Sequence, residues 1–223
     1  MSADYQNGAS YNPNLFSTIG GRRSDTPTDQ TGANGNVGVL TFDPAGALRV
    51  NEEGGNPTYY ATSTFACDST GTDIAVFPGS ALVTAKLLAI IISSEATTRA
   101  NGTISIIRRS AVDTAGTPVA ASIAKADGRD AAASCAPVHY TAHPTGLGAS
   151  AGTLVGMTYI QPALATDNLN PMISIPLQQF NGGKAVRVSG IADLICVNVP
   201  AALGGSGNVW NITWIWIEQP LTA

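Results

Sequence analysis

A two-residue alternation of apolar and polar side chains constrains the fold more than any other feature of this chain. It is clearest in the run VWNITWIWI at 209–217, where one set of alternate positions is wholly apolar: Trp210, Ile212, Trp214 and Trp216. Alternate side chains of a β-strand point to opposite faces of the sheet. The run therefore predicts a strand that turns one apolar face away from water.

The same period recurs in eight further runs: 58–67, 73–77, 82–92, 102–109, 152–161, 171–177, 184–188 and 191–199. Clusters of Gly, Pro, Asn and Asp separate these runs, and their spacing is typical of a sandwich or barrel. Helices do not alternate with the strands, as they would beside a parallel sheet. The pattern predicts an all-β fold, an antiparallel β-sandwich over residues 58–223.

Residues 118–134 interrupt this pattern, because they are rich in Ala, the residue with the highest helix propensity. We expect a short helix at about 119–125, closed at Gly128. A long loop that crosses one end of the sandwich agrees equally well with the composition, and the residues themselves leave both interpretations open.

Residues 1–57 are dense in Gly, Asn, Thr, Asp and Pro and hold only short apolar pieces. Such a segment buries too little apolar surface to offset the entropy lost on ordering. We expect an extended N-terminal arm over 1–57, with a turn near 55–58. The run VGVLTF at 37–42 has the character of a strand with no evident partner in its own segment, so we expect it to add to a sheet edge of another chain.

Charged residues make up only 12% of the chain, against about 25% in an ordinary soluble domain, and the net charge is −4. No basic field is present to hold a nucleic-acid backbone. The longest apolar run, at 87–92, is far shorter than the roughly 20 residues of a membrane helix, and the N-terminus lacks a secretory pattern. We expect neither nucleic acid nor membrane as a partner, and a neutral surface suited to contacts with protein.

The three cysteines, Cys67, Cys135 and Cys196, are far apart and form no C-x-x-C motif. This spacing argues against a zinc site and against a redox pair. Cysteine often behaves as a small buried apolar residue, so we expect three buried free thiols.

The segment Gly-Ala-Ser-Ala-Gly at 148–152 matches the nucleophile elbow of hydrolases. That elbow needs a strand before the serine and a helix after it, whereas Ser150 follows loop-like residues and precedes a strand-like run.

His139 and His143 have the spacing of helical metal ligands, but Pro144 argues against a helix and no third ligand is evident. We predict a protein that is not an enzyme, with no catalytic, cofactor-binding or metal-binding residue.

Two other polar patterns carry no clear chemistry. Residues 127–130 form a polar turn without the spacing of a calcium loop. The pairs Arg22–Arg23 and Arg108–Arg109 do not belong to a phosphate-binding loop. We expect each arginine pair to lie on a solvated face; the alternative is an ion pair with the acidic surface of a partner subunit.

The tryptophan face of 209–217 has two interpretations. Aromatic side chains on one strand face can stack on sugar rings, as they do in carbohydrate-binding modules. Because Ile212 makes the face uniformly apolar, we favour burial in the core or in a subunit contact over a sugar platform.

Several segments between Asp73 and Glu218 resemble a group of tailed-bacteriophage virion proteins: IAVFPGSA at 74–81, GTISIIRRS at 102–110, DTAGTPVAA at 113–121, HYTAHPTGLG at 139–148 and the final WIWIE at 214–218. The resemblance covers about two-thirds of the chain. It implies a jelly-roll or related β-sandwich that decorates the phage head or tail, with no catalytic residue to transfer.

The resemblance also implies partners and a location. The expected assembly is a homo-oligomer, with a trimer as the expected state, and its expected partners are the major capsid protein or other virion proteins. The protein would be made in the host cytoplasm and reside in the virion, most simply as a capsid decoration or cement protein. An alternative is a tail-associated domain that binds host-surface carbohydrate, either on the tryptophan face or on the loops of 127–152. A second alternative is an esterase-like enzyme, if Ser150 lies near a histidine and an acid.

Overall fold

The computed structural model describes residues 22–23, 41–42, 56–66, 71–163, 167, 172–180, 184–204 and 207–220. The chain divides into two units, Met1–Gly55 and Asn56–Ala223.

In the first unit, the described residues form two short strands, β1 (Arg22–Arg23) and β2 (Thr41–Phe42), which pair in parallel. The end of the 37–42 run therefore has a partner within its own segment, and the expectation of an unpartnered strand is wrong for these two residues. The rest of the predicted arm lies outside the described residues.

The second unit is almost entirely β-structure. Its strands are β3 (Thr58–Ala66), β4 (Thr72–Pro78), β5 (Val83–Glu95), β6 (Ala100–Arg109), β7 (Thr117–Ala120), β8 (Ser122–Lys125), β9 (Val138–Ala142), β10 (Ser150–Gln161), β11 (Met172–Pro176), β12 (Val186–Ser189), β13 (Leu194–Val199) and β14 (Val209–Pro220). One α-helical turn, α1 (Leu177–Phe180), follows β11, and a 3₁₀ turn (Ala201–Leu203) follows β13. None of the described helices is long and apolar enough to cross a membrane.

These strands form two sheets. Sheet I has the order β10-β6-β13-β4-β9-β7, and sheet II has the order β11-β5-β14-β3-β8, with β12 pairing along β5 as well. Neighbouring strands in both sheets are antiparallel. The predicted all-β antiparallel sandwich is confirmed; its jelly-roll subtype stays a prediction.

The core lies between the sheets and is built on the tryptophan face of β14. Trp210, Trp214 and Trp216 are at most 1% exposed. Phe77 of sheet I reaches across to Trp214 and Trp216, with ring centroids 5.7 and 5.2 Å apart. The tryptophans are therefore core residues, and the sugar-platform interpretation of this face is wrong.

The predicted helix at about 119–125 is also wrong. This stretch forms β7 and β8, two four-residue strands that join different sheets, with buried Ala121 between them. A helix of seven residues is too short to be stable without tertiary packing. Pairing of β7 with β9 and of β8 with β3 satisfies the backbone instead.

Two of the predicted thiols are described. Cys135 and Cys196 are buried and free, as expected, and Cys67 lies outside the described residues.

Candidate functional site

Ser150 opens strand β10 and does not precede a helix. Its exposed hydroxyl accepts a hydrogen bond from the Gly152 N–H at 3.3 Å. Strands β6, β13 and β4 lie between β10 and β9, which carries His139. Four steps of about 4.8 Å place Ser150 and His139 roughly 19 Å apart, too far for a serine–histidine pair.

His139 lies on β9 with its ring stacked on Phe65, the ring centroids 4.6 Å apart. It is 8% exposed, and its Nδ1 has no hydrogen-bond partner among the described atoms. Burial lowers the pKa of His139. His143 follows the end of β9, so the two histidines do not share the helical face that a metal site would need. His139 is therefore a buried residue that packs on Phe65.

The prediction for Arg108–Arg109 needs correction, because both residues have acidic partners within the chain. Arg109 is buried, and its Nε lies 2.5 Å from Asp73 Oδ2. Arg108 is half-exposed and donates to both carboxylate oxygens of Asp193, at 2.8 and 2.5 Å. The adjacency of the two arginines in the sequence did not reveal these separate acidic partners, because successive side chains of β6 point to opposite faces of the sheet.

We call Asp73, Arg109, Asp113 and Asn198 the Asp73 centre. Asp73 is fully buried and accepts hydrogen bonds from Arg109 Nη2 at 2.9 Å and from Asn198 Nδ2 at 2.7 Å. Asp113 accepts from the Gly148 N–H at 2.8 Å, and Arg109 Nη1 donates to the Gly148 carbonyl at 2.9 Å. The centre therefore ties the segments 110–116 and 143–149 to the strands of sheet I.

The Asp73 centre also brings possible metal ligands together. Ligand atoms of Asp73, Asp113 and Cys196 all lie within 4.8 Å of one another. Arg109 already supplies the positive charge beside the two carboxylates. Burial raises the pKa of the Cys196 thiol, whereas a metal ligand must be a thiolate. The arrangement fits a buried structural ion pair better than a metal site.

A further buried carboxylate, Glu218, lies near the end of β14. It accepts hydrogen bonds from the backbone N–H of Ser134 at 2.8 Å, from that of Cys135 at 2.8 Å and from Trp216 Nε1 at 3.0 Å. We call these four residues the Glu218 centre. It ties the segment between β8 and β9 to sheet II.

Strand β10 is the most unusual surface feature of the sandwich. It forms one edge of sheet I, is twelve residues long, and its sequence SAGTLVGMTYIQ contains no charge and no proline. Its pairing with β6 is irregular near Gly152 and between Thr153 and Val155, and regular from there to Gln161. Leu154 and Ile160 are exposed on it, at 39% and 46%.

The other edges carry features that discourage further pairing. In sheet I, β7 is four residues long and contains Pro118. In sheet II, β8 is four residues long and ends at Lys125, whereas β11 ends at Pro176 and β12 contains Arg187. Short length, proline and lysine or other charge are the usual protections of an edge strand. Among the edges that the structure describes, β10 alone combines length with an uncharged sequence.

A second apolar surface lies where β4 ends and β5 begins, and we call it the apolar end. Leu82 and Ile191 are exposed there, at 73% and 72%. Their turns are joined by a hydrogen bond of 2.9 Å from the Gly190 N–H to the Ser80 carbonyl. Beside them is an open cleft of about 440 Å³, lined by 108–110, Ala151 and 189–193. The Arg108–Asp193 pair in its wall is internally neutralised.

Comparison of the chain with protein-family models, with curated proteins and with solved structures gave no match. The resemblance to virion proteins therefore stays a prediction.

Asp73, Asp113 and Glu218 were not predicted from the sequence as site residues. An acidic residue inside an apolar strand was the available signal, since Asp73 precedes IAVF and Glu218 follows WIWI. A charge at such a position is almost never fully buried unless it is paired. The unprotected edge carried no signal, because strand order is not visible in a single sequence.

Proposed function

We propose that the chain is a phage virion structural protein, a capsid decoration or cement protein that binds the head shell as an oligomer. The apolar end is the observation that carries the proposal. Large exposed apolar side chains that cluster on a soluble domain mark contacts with other protein, and the low overall charge supports such contacts.

In this proposal the apolar end docks on the major capsid protein or on another virion protein. Leu82 and Ile191 enter a complementary apolar surface, and the neutralised Arg108–Asp193 pair adds no net charge to it. The chain acts in the virion after synthesis in the host cytoplasm, and the oligomeric state implied by the resemblance is a trimer.

The test is the copy number of this chain in purified particles, measured by quantitative mass spectrometry. A decoration protein is present in hundreds of copies, whereas a handful of copies would favour a tail location and absence would overturn the proposal. Leu82→Asp with Ile191→Asp should lower the copy number at least tenfold.

Met172→Asp is the matched control, because Met172 is 67% exposed and pairs near the far end of β5, opposite Ser93. At about 3.3 Å per residue, it lies roughly 35 Å along the strand from Leu82. Equal loss with this variant would show that a general change of surface charge, and not the apolar end, controls attachment.

We also propose that the protein has no enzymatic role. The strand position of Ser150 supports this proposal, because a nucleophile elbow holds its serine at the start of a helix. Labelling of the chain by a general serine-hydrolase probe, abolished by Ser150→Ala, would overturn it.

The tail-associated carbohydrate-binding domain has less support. Its tryptophan face is buried, and Tyr140, an aromatic residue within 127–152, is only 8% exposed. We therefore do not favour it over the decoration role.

A further inference from the structure

We propose that the peptide bond between Arg129 and Asp130 is a processing site, which a protease specific for arginine cuts in the folded protein. The two resulting pieces, 1–129 and 130–223, stay together as one folded particle. In the reaction the C–N bond of this peptide breaks, the OH of a water molecule joins the Arg129 carbonyl carbon, and the remaining proton joins the Asp130 nitrogen. This inference does not rest on the virion proposal, because it concerns the backbone of the isolated protein.

The bond lies in an exposed loop. Residues 126–133 follow β8, and each of them is exposed or half-exposed. The Arg129 side chain is 90% exposed. No other described part of the chain comes within 4 Å of the place where a Cβ on Gly128 would stand. Exposed loop tips with small or polar residues are the preferred sites of proteolytic nicking, so this loop is open to a protease.

The contacts that hold the turn around Arg129 are local and exposed. The Asp130 N–H donates to the Asp127 carbonyl at 3.1 Å. Lys125 Nζ donates to two carbonyls of the turn, at 3.0 and 2.6 Å. The Arg129–Asp127 ion pair is also at the surface, and such pairs contribute little to stability. A protease can therefore draw the turn into its cleft without opening the sandwich.

The other arginines of the second unit are less open. Arg99 lies in a link of four residues, 96–99, between β5 and β6. The remaining three lie within paired strands: Arg108, Arg109 and Arg187. A protease binds its substrate as an extended chain several residues long, so a bond in a paired strand or a tight link becomes accessible only after unfolding.

The strand order holds the two pieces together. Strands β3 to β8 belong to 1–129, and β9 to β14 belong to 130–223. In sheet I, strands of the two pieces alternate without exception. In sheet II, β11, β12 and β14 all pair with strands of the other piece. Of the ten strand pairings described in the second unit, only that of β3 with β8 joins strands of one piece, so nine cross the cut.

The core crosses the cut as well. Phe77 of the first piece packs on Trp214 and Trp216 of the second. The new N-terminal end is held near its place, because Glu218 accepts the N–H groups of Ser134 and Cys135. Hydrolysis therefore removes one covalent link and leaves the strand pairing and the core intact.

Digestion of the full chain with an arginine-specific protease tests the site. N-terminal sequencing should find Asp130 as the first new N-terminus within 56–223. Arg129→Gln should abolish this cut, whereas the matched control Arg99→Gln should leave its rate unchanged. Asp127→Ala releases the Arg129 side chain from its exposed ion pair and should accelerate the cut about two- to fivefold. Circular dichroism checks that each variant stays folded.

Two measurements test the cohesion of the cut protein. Gel filtration without denaturant should elute it at the volume of the intact protein, and in urea the pieces should separate. The midpoint of urea unfolding should depend more steeply on protein concentration for the cut protein than for the intact one, because its unfolding also dissociates the two pieces.

Three results would overturn the inference. The first is a folded protein that yields no new N-terminus at Asp130, whether the bond stays intact or another bond within 56–223 is cut first. The second is an unchanged rate of this cut in Arg129→Gln, which would assign it to a different specificity. The third is separation of the pieces in native buffer, which would show that strand pairing does not hold them.

Discussion

Asp73 and Glu218 are both buried carboxylates that tie a loop to a strand, but their charges are balanced in different ways. Asp73 faces the guanidinium of Arg109. The hydrogen bonds that described residues donate to Glu218 all come from neutral N–H groups. The Asp73 centre therefore holds a buried ion pair, Asp73 with Arg109, whose two charges depend on each other and which has the Asp113 carboxylate beside it, whereas the Glu218 centre holds one charge solvated by dipoles. Removing the carboxylate charge should consequently have different costs at the two centres.

The largest expected effect is at the Asp73 centre. Asp73→Asn leaves Arg109 buried with only Asp113 nearby, and Arg109 Nε lies 4.0 Å from that carboxylate. Breaking a buried ion pair by removing one partner costs about 3–5 kcal/mol. We expect a loss of this size in the free energy of unfolding measured by urea denaturation, a large part of a total stability of about 5–15 kcal/mol.

Two controls accompany this variant. Asp193→Asn breaks the half-exposed pair with Arg108, and should cost at most about 1 kcal/mol. Asp73→Leu combined with Arg109→Met removes both charges, and should recover part of the loss. A double variant less stable than Asp73→Asn would contradict the interdependence of the two charges.

The next effect is at the Glu218 centre. Glu218→Gln keeps an oxygen acceptor at Oε1 for the N–H groups of Cys135 and Trp216, but turns an NH2 donor towards the Ser134 N–H at Oε2. Hydrogen bonds to charged groups contribute about 1.5–3 kcal/mol each, so we expect a loss of about 2 kcal/mol in urea denaturation. This is less than the loss for Asp73→Asn, and an equal or greater loss would remove the contrast between the centres.

His139 is a third buried titratable group, and it affects the stability of the protein at acid pH. Because burial lowers its pKa below the usual value of about 6.5, the unfolded chain takes up this proton before the folded chain does. The stability is therefore full above pH 6.5 and falls as the pH drops through the pKa of the folded state. His139→Phe should flatten the stability profile below about pH 6.5. An unchanged slope in this window would show that His139 protonates without cost.

The smallest effect concerns thiol reactivity at the Glu218 centre. Burial and the nearby Glu218 raise the pKa of Cys135 to about 12, and burial also raises that of Cys196. In a Cys67→Ser chain, both thiols should resist an aromatic disulfide reagent until denaturant is added. Glu218→Gln removes one cause of the Cys135 shift and should accelerate its reaction modestly. Rapid reaction in the native protein would contradict the burial of both thiols.

The strands that the sequence predicted share one property: each carries an apolar stripe of period two. In β14 the stripe is unbroken over four residues, and in β6 Ile104 and Ile106 are both fully buried. All nine predicted runs are strands in the structure. Three strands of the second unit were not predicted: β7, β8 and β9 are four or five residues long, and the first two are exposed at every position. They carry no hydrophobic stripe. Pairing holds them in the sheets instead: β7 pairs with β9, β8 with β3, and β9 with β4.

The candidate surfaces were less accessible to prediction than the fold. The low charge indicated a neutral surface, but not where it lies. Leu82 and Ile191 are 109 positions apart in the chain, and only the pairing of their turns brings them to one end of the sandwich. The Asp73–Arg109 pair was likewise hidden, because the two residues lie on β4 and β6, with β13 between them.

The sequence by itself determined the all-β character, the buried tryptophan face and the scarcity of charge, since each follows from residue type and a local period of two. The tertiary structure decided the strand order, and with it which strand became an edge. The sequence of an uncharged strand such as β10 does not reveal whether the strand lies in the middle of a sheet or at its edge. Its position at the edge of sheet I follows from the strand order, in which β6 pairs with it on one side and no described strand pairs with it on the other.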